Sequence, residues 1–294
     1  MKVSYQVKNT PKGLVFYNRG SYMTVRMNKK ESRACGVKSF PADTPPEVVH
    51  LEISDRCQMR CSYCYCGEKS NREISTEDWK RIITQLKNAG VFQVTFGGGE
   101  PTMREDLEEL ARFVKSLELT LCMTSNGKNI PKIDKEVLRL FDQINVSWHN
   151  QKGFEKALKC LKKYEVRRGI NFCLSKQYES DVELVRRIAE RQEAEILFLT
   201  YKAVNNDQKN QIPPSQVLRI AHTIQDSGVD VAVDGATCQM CLGGRRFIDV
   251  SSVGDVMSCS FIRKPIGNLL KEGFGEIWRK RPKKVVCPYI HIDK

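Results

Sequence analysis

The sequence predicts an α/β fold, a partial (β/α)6 barrel, preceded by a small β element and followed by a cysteine-rich extension. Three observations carry that reading. From about residue 48, short β-branched runs alternate with amphipathic stretches of helical period. Six such units number enough to curve, because parallel strands joined by right-handed crossovers twist progressively into an open barrel. The residues equipped for chemistry fall just after the runs, at the C-terminal ends of the strands, where barrels of this kind collect their sites.

The strands are read at VVHLEIS (48–54), FQVTFG (92–97), LTLCMTS (119–125), QINVSW (143–148), INFCLSK (170–176) and EILFLTY (195–201). Helices are expected near STEDWKRIITQLKNAG, REDLEELARFVKSL, GFEKALKCLKKYEV and ESDVELVRRIAERQ. Ser75 with Asp78 gives the first of these a capping-box start, and Gly90 ends it. Ahead of the barrel, residues 1–47 alternate enough in YQVKNTPKGLVFYN and SYMTVRMN for a small hairpin, followed by the proline-rich SFPADTPPE. The barrel is placed at 48–234. The extension, at 235–294, is glycine- and cysteine-marked, short-stranded and basic.

Composition narrows the function. Forty-eight Lys and Arg against thirty-five Asp and Glu leave a formal charge of +13, which favours a phosphorylated cofactor, an acidic peptide or nucleic acid. Stretches such as KALKCLKKYEVRR also read as plain solvated helix faces. No apolar run approaches the roughly 20 residues of a membrane helix. MKVSYQVKNTPKGLVFYN lacks a signal-peptide core, so the twelve cysteines are expected to be reduced and cytoplasmic.

Four of those cysteines stand in CQMRCSYCYC (57–66). Cys57, Cys61 and Cys64 follow a strand in C-x3-C-x2-C spacing, so three thiolates converge on one loop. Structural zinc wants four closed ligands, whereas a four-iron cluster on three cysteines keeps one iron open; a zinc knuckle is the rival. The stretch resembles the cluster loop of the radical SAM superfamily, with Tyr63 in the aromatic place before the third cysteine. That resemblance implies a 4Fe-4S cluster on Cys57, Cys61 and Cys64, S-adenosylmethionine (SAM) chelated at the fourth iron, and Tyr63 near its adenine. Cys66 falls outside the triplet. FGGGEPT (96–102) resembles the family's Gly-Gly-Glu-Pro segment, which implies Gly98, Gly99 and Glu100 beside the methionyl amino group. Glycines permit close backbone approach, and Glu100 offers an anionic acceptor to an ammonium. In TSNG (124–127), Ser125 and Asn126 resemble family positions near the SAM carboxylate and ribose. Where relatives read Ser-x-Asp this chain has Ser147-Trp148-His149. Ser147 is retained as a ribose contact, and His149 as a candidate catalytic residue against its plainer reading as a polar loop residue. Asn171, Ser175 and Lys202 are further candidate contacts, while Cys122, Cys160 and Cys173 read as buried small hydrophobes.

Cys238, Cys241 and Cys259 surround a second hairpin, with Gly254 five residues before Cys259 and Cys287 near the terminus. This spacing, with the following PIGNLLKEGFGEIW, is similar to the SPASM and Twitch extensions of radical SAM enzymes. It implies an auxiliary iron-sulfur cluster of 4Fe-4S type at Cys238, Cys241, Cys259 and Cys287, closed if Cys287 is a ligand and open at one iron if it is not; with Cys287 alone after the hairpin, one cluster is favoured over two, and Twitch over full SPASM. A four-cysteine zinc ribbon is the alternative. Over about residues 48–290, the resemblance implies reductive cleavage of SAM to a 5'-deoxyadenosyl radical that abstracts hydrogen from a substrate. The favoured substrate is a peptide undergoing crosslinking, oxidation or epimerisation, with a flavodoxin or ferredoxin as reductant. A small-molecule dehydrogenase or cyclase is the alternative. A non-enzymatic iron-sulfur or zinc-binding protein is a third reading, disfavoured because neither needs a Gly-Gly-Glu segment. Neither a membrane nor nucleic acid is the expected partner.

Overall fold

Apolar and polar residues alternate along the first barrel strand, and the sheet is organised around that alternation. The computed structural model describes residues 5–19, 21, 23–66, 72–150, 152–204, 207–238 and 241–289. An N-terminal antiparallel sheet comprises β1 (Tyr5–Thr10), β2 (Gly13–Asn18) and β3 (Thr24–Arg26), followed by the short helix α1 (Lys29–Ala34). The expected hairpin is therefore three-stranded. Val15, Phe16 and Tyr17 pair with Arg26, Val25 and Thr24 and draw the SYMTVRMN stretch into the sheet.

Six parallel strands then lie side by side in chain order: β4 (Val48–Ser54), β5 (Gln93–Gly98), β6 (Thr120–Ser125), β7 (Gln143–Ser147), β8 (Arg168–Leu174) and β9 (Glu195–Thr200). The crossovers carry α2 (Thr76–Asn88), α3 (Leu107–Ser116), the single-turn α4 (Lys135–Leu138), α5 (Phe154–Lys163) and α6 (Val182–Gln192). Helix α4 was not foreseen; Pro131 and the shortness of the segment leave too few residues for a helical period to show. Ser75 caps α2 by accepting from Asp78 N, but its hydroxyl also meets the Asp78 carboxylate at 2.9 Å, so the reciprocal contact is side chain to side chain. Gly90 follows in the left-handed region at φ +84°.

Beyond β9, helix α7 (Pro214–Asp226) leads to β10 (Val231–Val233), which adds in parallel. On the other side β11 (Phe247–Val250) pairs in parallel with β4. Strands β12 (Asp255–Cys259) and β13 (Ile262–Asn268) complete the sheet antiparallel, followed by α8 (Phe274–Lys280). One ten-stranded sheet thus runs through both the barrel and the C-terminal region. Val49, Leu51 and Ile53 of β4 are fully buried with Trp79, Ile82, Ile83 and Leu86 of α2 in the main core, whereas His50, Glu52 and Ser54 face inward. The N-terminal sheet packs at the opposite end from the site: Tyr17 stacks on Phe92 at 5.2 Å and its hydroxyl donates to Thr120 Oγ1 at 3.0 Å, both beside the N-terminal ends of strands. Among the described residues no helix is long and apolar enough to cross a membrane.

Candidate active site

The loop leaving β4 carries Cys57, Cys61 and Cys64, and all three line a cavity of about 330 Å3 at the C-terminal ends of the strands. A backbone bond from Cys64 N to Cys61 O (3.2 Å) makes the turn that brings the last two together. Asn126 Nδ2 reaches Cys57 Sγ at 3.9 Å, and His149 Nδ1 lies 3.6 Å from Cys61 Sγ. Cys66 turns away and donates to the Gly98 carbonyl at 3.1 Å.

The glycine run packs closely against the chain itself. A Cβ at Gly98 would lie 2.4 Å from Ser54 O, and one at Gly99 would lie 2.2 Å from Arg56 O. Free of that bulk, Gly99 N and Glu100 N donate to Ser54 O and Arg56 O, both at 2.7 Å, fastening the cysteine loop onto the end of β5. The Glu100 carboxylate, 1% exposed, accepts from Ser125 Oγ (2.8 Å), Asn126 N (2.7 Å) and Thr102 N (3.2 Å). It therefore ties the ends of β5 and β6 together at the cavity wall. Gly98, Gly99, Glu100, Ser125, Asn126, Ser147 and His149 all line the same space as the three cysteines.

Tyr63 lies over His149, rings 5.8 Å apart, and its hydroxyl is hydrogen-bonded to His149 Nδ1 at 2.6 Å. Burial, with Lys128's charge adding, lowers His149 to about 4 and keeps the ring neutral. Burial likewise pushes the Tyr63 phenol up, with Cys173 next in effect. Asn171 and Lys202 also line the cavity, whereas Ser175 is buried away from it. Cys173, expected in the core, stands in the cavity wall, because the inward positions of β8 are Gly169, Asn171 and Cys173. Burial pushes its thiol up to about 12.

The other half of the cavity was not foreseen. His50, Tyr65, Asp234, Phe247, Ser260 and Phe261 line it, most of them from the C-terminal region or facing it. Lys202 Nζ donates to Asp234 Oδ2 (2.9 Å) and Thr200 O (3.2 Å) and sits 4.4 Å above the Phe261 ring. Burial works against the Asp234 charge, but Lys202 and the Thr237 hydrogen bonds outweigh it and hold the carboxyl below its usual range. The signal available in the sequence was VVHLEIS itself, where a histidine and a glutamate occupy alternate positions of an otherwise apolar strand.

In the C-terminal region, β12 and the turn at Gly243 bring Cys241 and Cys259 together: a Cβ at Gly243 would lie 3.6 Å from Cys241 Sγ and 3.4 Å from Cys259 Cβ. Burial pushes the Cys259 thiol up, and the neighbouring Cys241 and Cys287 add to it, so three thiols share one locality. Cys238 closes the turn on Asp234, N to O 3.4 Å.

The family model for the radical SAM superfamily matches residues 51–150, and that for an iron-sulfur cluster-binding domain, SPASM, matches residues 241–285. Those two segments, 51–150 and 241–285, carry the likeness to radical SAM enzymes. A radical SAM domain implies SAM and a 4Fe-4S cluster, and a SPASM domain implies auxiliary iron-sulfur. Three thiols gathered on one wall of a cavity fit a cluster with an open position, and the 241–259–287 grouping fits the second. Among relatives, the PqqA peptide cyclase of Rhodopseudomonas palustris is 44% identical over 77 residues, 25% of this chain and 20% of that protein, so the match spans a fifth of the relative's length. The AdoMet-dependent heme synthase of Methanosarcina barkeri is 24% identical over 286 residues, 79% of this chain and 82% of that protein. The fold is like that of Streptococcus suis SuiB bound to the precursor peptide SuiA, with a TM-score of 0.75 at 15% identity, covering 94% of this chain and 88% of SuiB.

Proposed function

We propose that this radical SAM protein modifies a peptide, with Cys57, Cys61 and Cys64 holding the SAM cluster and the SPASM-side half of the cavity holding the substrate. The observation that carries it is the single cavity, one half lined by Cys57, Cys61, Cys64, Glu100, Ser125 and Ser147, the other by Phe247, Ser260 and Phe261 of the C-terminal region. Bound there, the cluster and SAM would supply the one-electron chemistry for hydrogen abstraction. The chain's own part is positioning and exclusion of water. Glu100 fixes the β5 and β6 ends, so that Ser125 and Asn126 face the ligand in one geometry. Tyr63 and His149 form an aromatic wall for the adenine, held together by the hydrogen bond between the tyrosine hydroxyl and His149 Nδ1. Tyr65 and Phe261, 5.3 Å apart, close the side toward the SPASM region. The peptide reading is supported by the likeness to PqqA peptide cyclases and to SuiB, whose structure holds a precursor peptide.

The heme synthase match, which spans most of both chains, supports a second reading, a free small-molecule substrate. To separate the two, the anaerobically reconstituted enzyme is given SAM, dithionite and synthetic peptides encoded beside its gene. The expected result is a mass change in one peptide, with 5'-deoxyadenosine formed in step. If every peptide is left unchanged and a metabolite alone stimulates 5'-deoxyadenosine formation, the peptide reading fails.

A further inference from the structure

The inner face of β4 meets the SPASM strands through two buried pairs. His50 Nδ1 lies 2.9 Å from Asp249 Oδ2 on β11, and Glu52 is held by the Arg263 guanidinium from β13, with Nη2 at 3.0 Å from Oε2. Asp249 is 0% exposed and its Oδ1 has no hydrogen-bond partner. An ionised carboxylate only accepts, so Nδ1 carries a proton. Nε2 makes no hydrogen bond among the described residues. It rests on Gly97, where a Cβ would come within 2.0 Å, and the ring lines the main cavity. The missing side chain at 97 thus leaves room for the Nε2 edge of a ring that lines the main cavity.

Charge counting decides what Nε2 offers. Burial, with the Asp249 charge next, pushes the Glu52 carboxyl up to about 7 against the pull of Arg263; above that pH, with Glu52 paired to Arg263, an imidazolium at His50 balances a carboxylate at 249 and leaves no uncompensated buried charge. Burial opposes the imidazolium, but the Asp249 and Glu52 charges outweigh burial and raise the His50 pKa; the Arg263 charge and the Tyr65 ring, 6.1 Å away, complete its surroundings. Lys202, the other cation on this side, is already committed to Asp234. Ligand atoms of His50, Glu52 and Asp249 lie within 4.8 Å of one another, a spacing that would suit a metal ion, yet the Arg263 fork on Glu52 already supplies the positive charge there.

We propose that His50 is a substrate-binding residue whose Nε2–H donates to a carbonyl or carboxylate oxygen of the substrate. This rests on the cavity's being the substrate site, as above. Asp249 and Gly97 are its positioning residues, one fixing Nδ1 and the other leaving room for Nε2.

The chain has four histidines, so the reconstituted holoprotein labelled with 15N-histidine gives a small set of imidazole signals. His50 is expected to be doubly protonated at pH 7.5, and its Nε2–H to shift on adding N-acetylglycine. A shift with the acid alone identifies a carboxylate contact; a shift with N-acetylglycine N-methylamide as well identifies a carbonyl contact. His50→Gln keeps an N–H at the site without the charge and should weaken N-acetylglycine about ten-fold in saturation-transfer measurements. A ring lacking the Nε2 proton overturns the proposal. So does a ring unmoved by either probe, or one equivalent of zinc retained by the holoprotein and lost in His50→Gln. SAM binding and 5'-deoxyadenosine formation, read on the same samples, report separately on the radical SAM site.

Discussion

The two cysteine groups reach a common end by different routes. Cys57, Cys61 and Cys64 lie within eight residues on one loop, so local turns gather them: the Cys64–Cys61 backbone bond and the fastening of Gly99 and Glu100 to residues 54 and 56. Cys241, Cys259 and Cys287 are spread over nearly fifty residues; the β11–β12 hairpin docked on β4 carries Cys259 beside Cys241, and the chain after β13 and α8 returns Cys287 to them. The first group therefore depends on loop geometry at the barrel's end, and the second on the register of the sheet. The difference teaches where each is vulnerable and what the other retains when it is lost.

The largest expected effect comes from the local group. Replacing Cys57, Cys61 and Cys64 with Ala should remove the barrel cluster, about half of roughly eight irons if both are four-iron clusters, and bring 5'-deoxyadenosine formation to background. Iron assay and chromatography of the SAM products measure both. Retained SAM cleavage would show that the cavity's cysteines are not its ligands.

Glu100→Ala should act next most strongly. It leaves all the cysteines in place but removes the acceptor that ties Ser125 and Asn126 N to the end of β5. Losing hydrogen bonds to a buried carboxylate of this kind corresponds to roughly a ten- to hundred-fold change in equilibrium. SAM affinity, measured by equilibrium dialysis on iron-replete protein, should weaken by that order. Unchanged affinity would mean that the strand ends hold their places without the carboxylate.

Smallest, if the two groups are independent, is the effect of Cys241→Ala with Cys259→Ala on SAM cleavage itself. Auxiliary iron should be lost while 5'-deoxyadenosine formation stays within about three-fold of the parent, since cleavage needs only the barrel residues. Circular dichroism checks that the barrel persists. A collapse of cleavage in a folded variant would show that the sheet couples the two sites.

Much of this was legible in the sequence where the determinant is local. The six strands came from period-two runs, and the cluster loop, Gly98 to Glu100 and Ser125-Asn126 from short segments at strand ends; all proved to share one cavity. The roles of individual atoms were less accessible. Gly98 and Gly99 read as room for a ligand, and besides lining the cavity they let the carbonyls of Ser54 and Arg56 approach closely, a contact no local pattern announces. His50 and Asp249 are 199 positions apart, and Glu52 and Arg263 are 211 apart. Only the pairing of β11 with β4 makes them neighbours, and no periodicity in one strand encodes which strand will lie beside it.

That pairing has a further consequence for the chain's solubility. Six of the seven residues of β4 are buried, and its free edge, if β11 were absent, would present an unpaired ladder along VVHLEIS, the kind of exposed apolar edge that templates strand addition between molecules. The SPASM strands thus shield the barrel from self-association as well as carrying cysteines, and a chain cut before residue 241 should aggregate even with its barrel cluster intact.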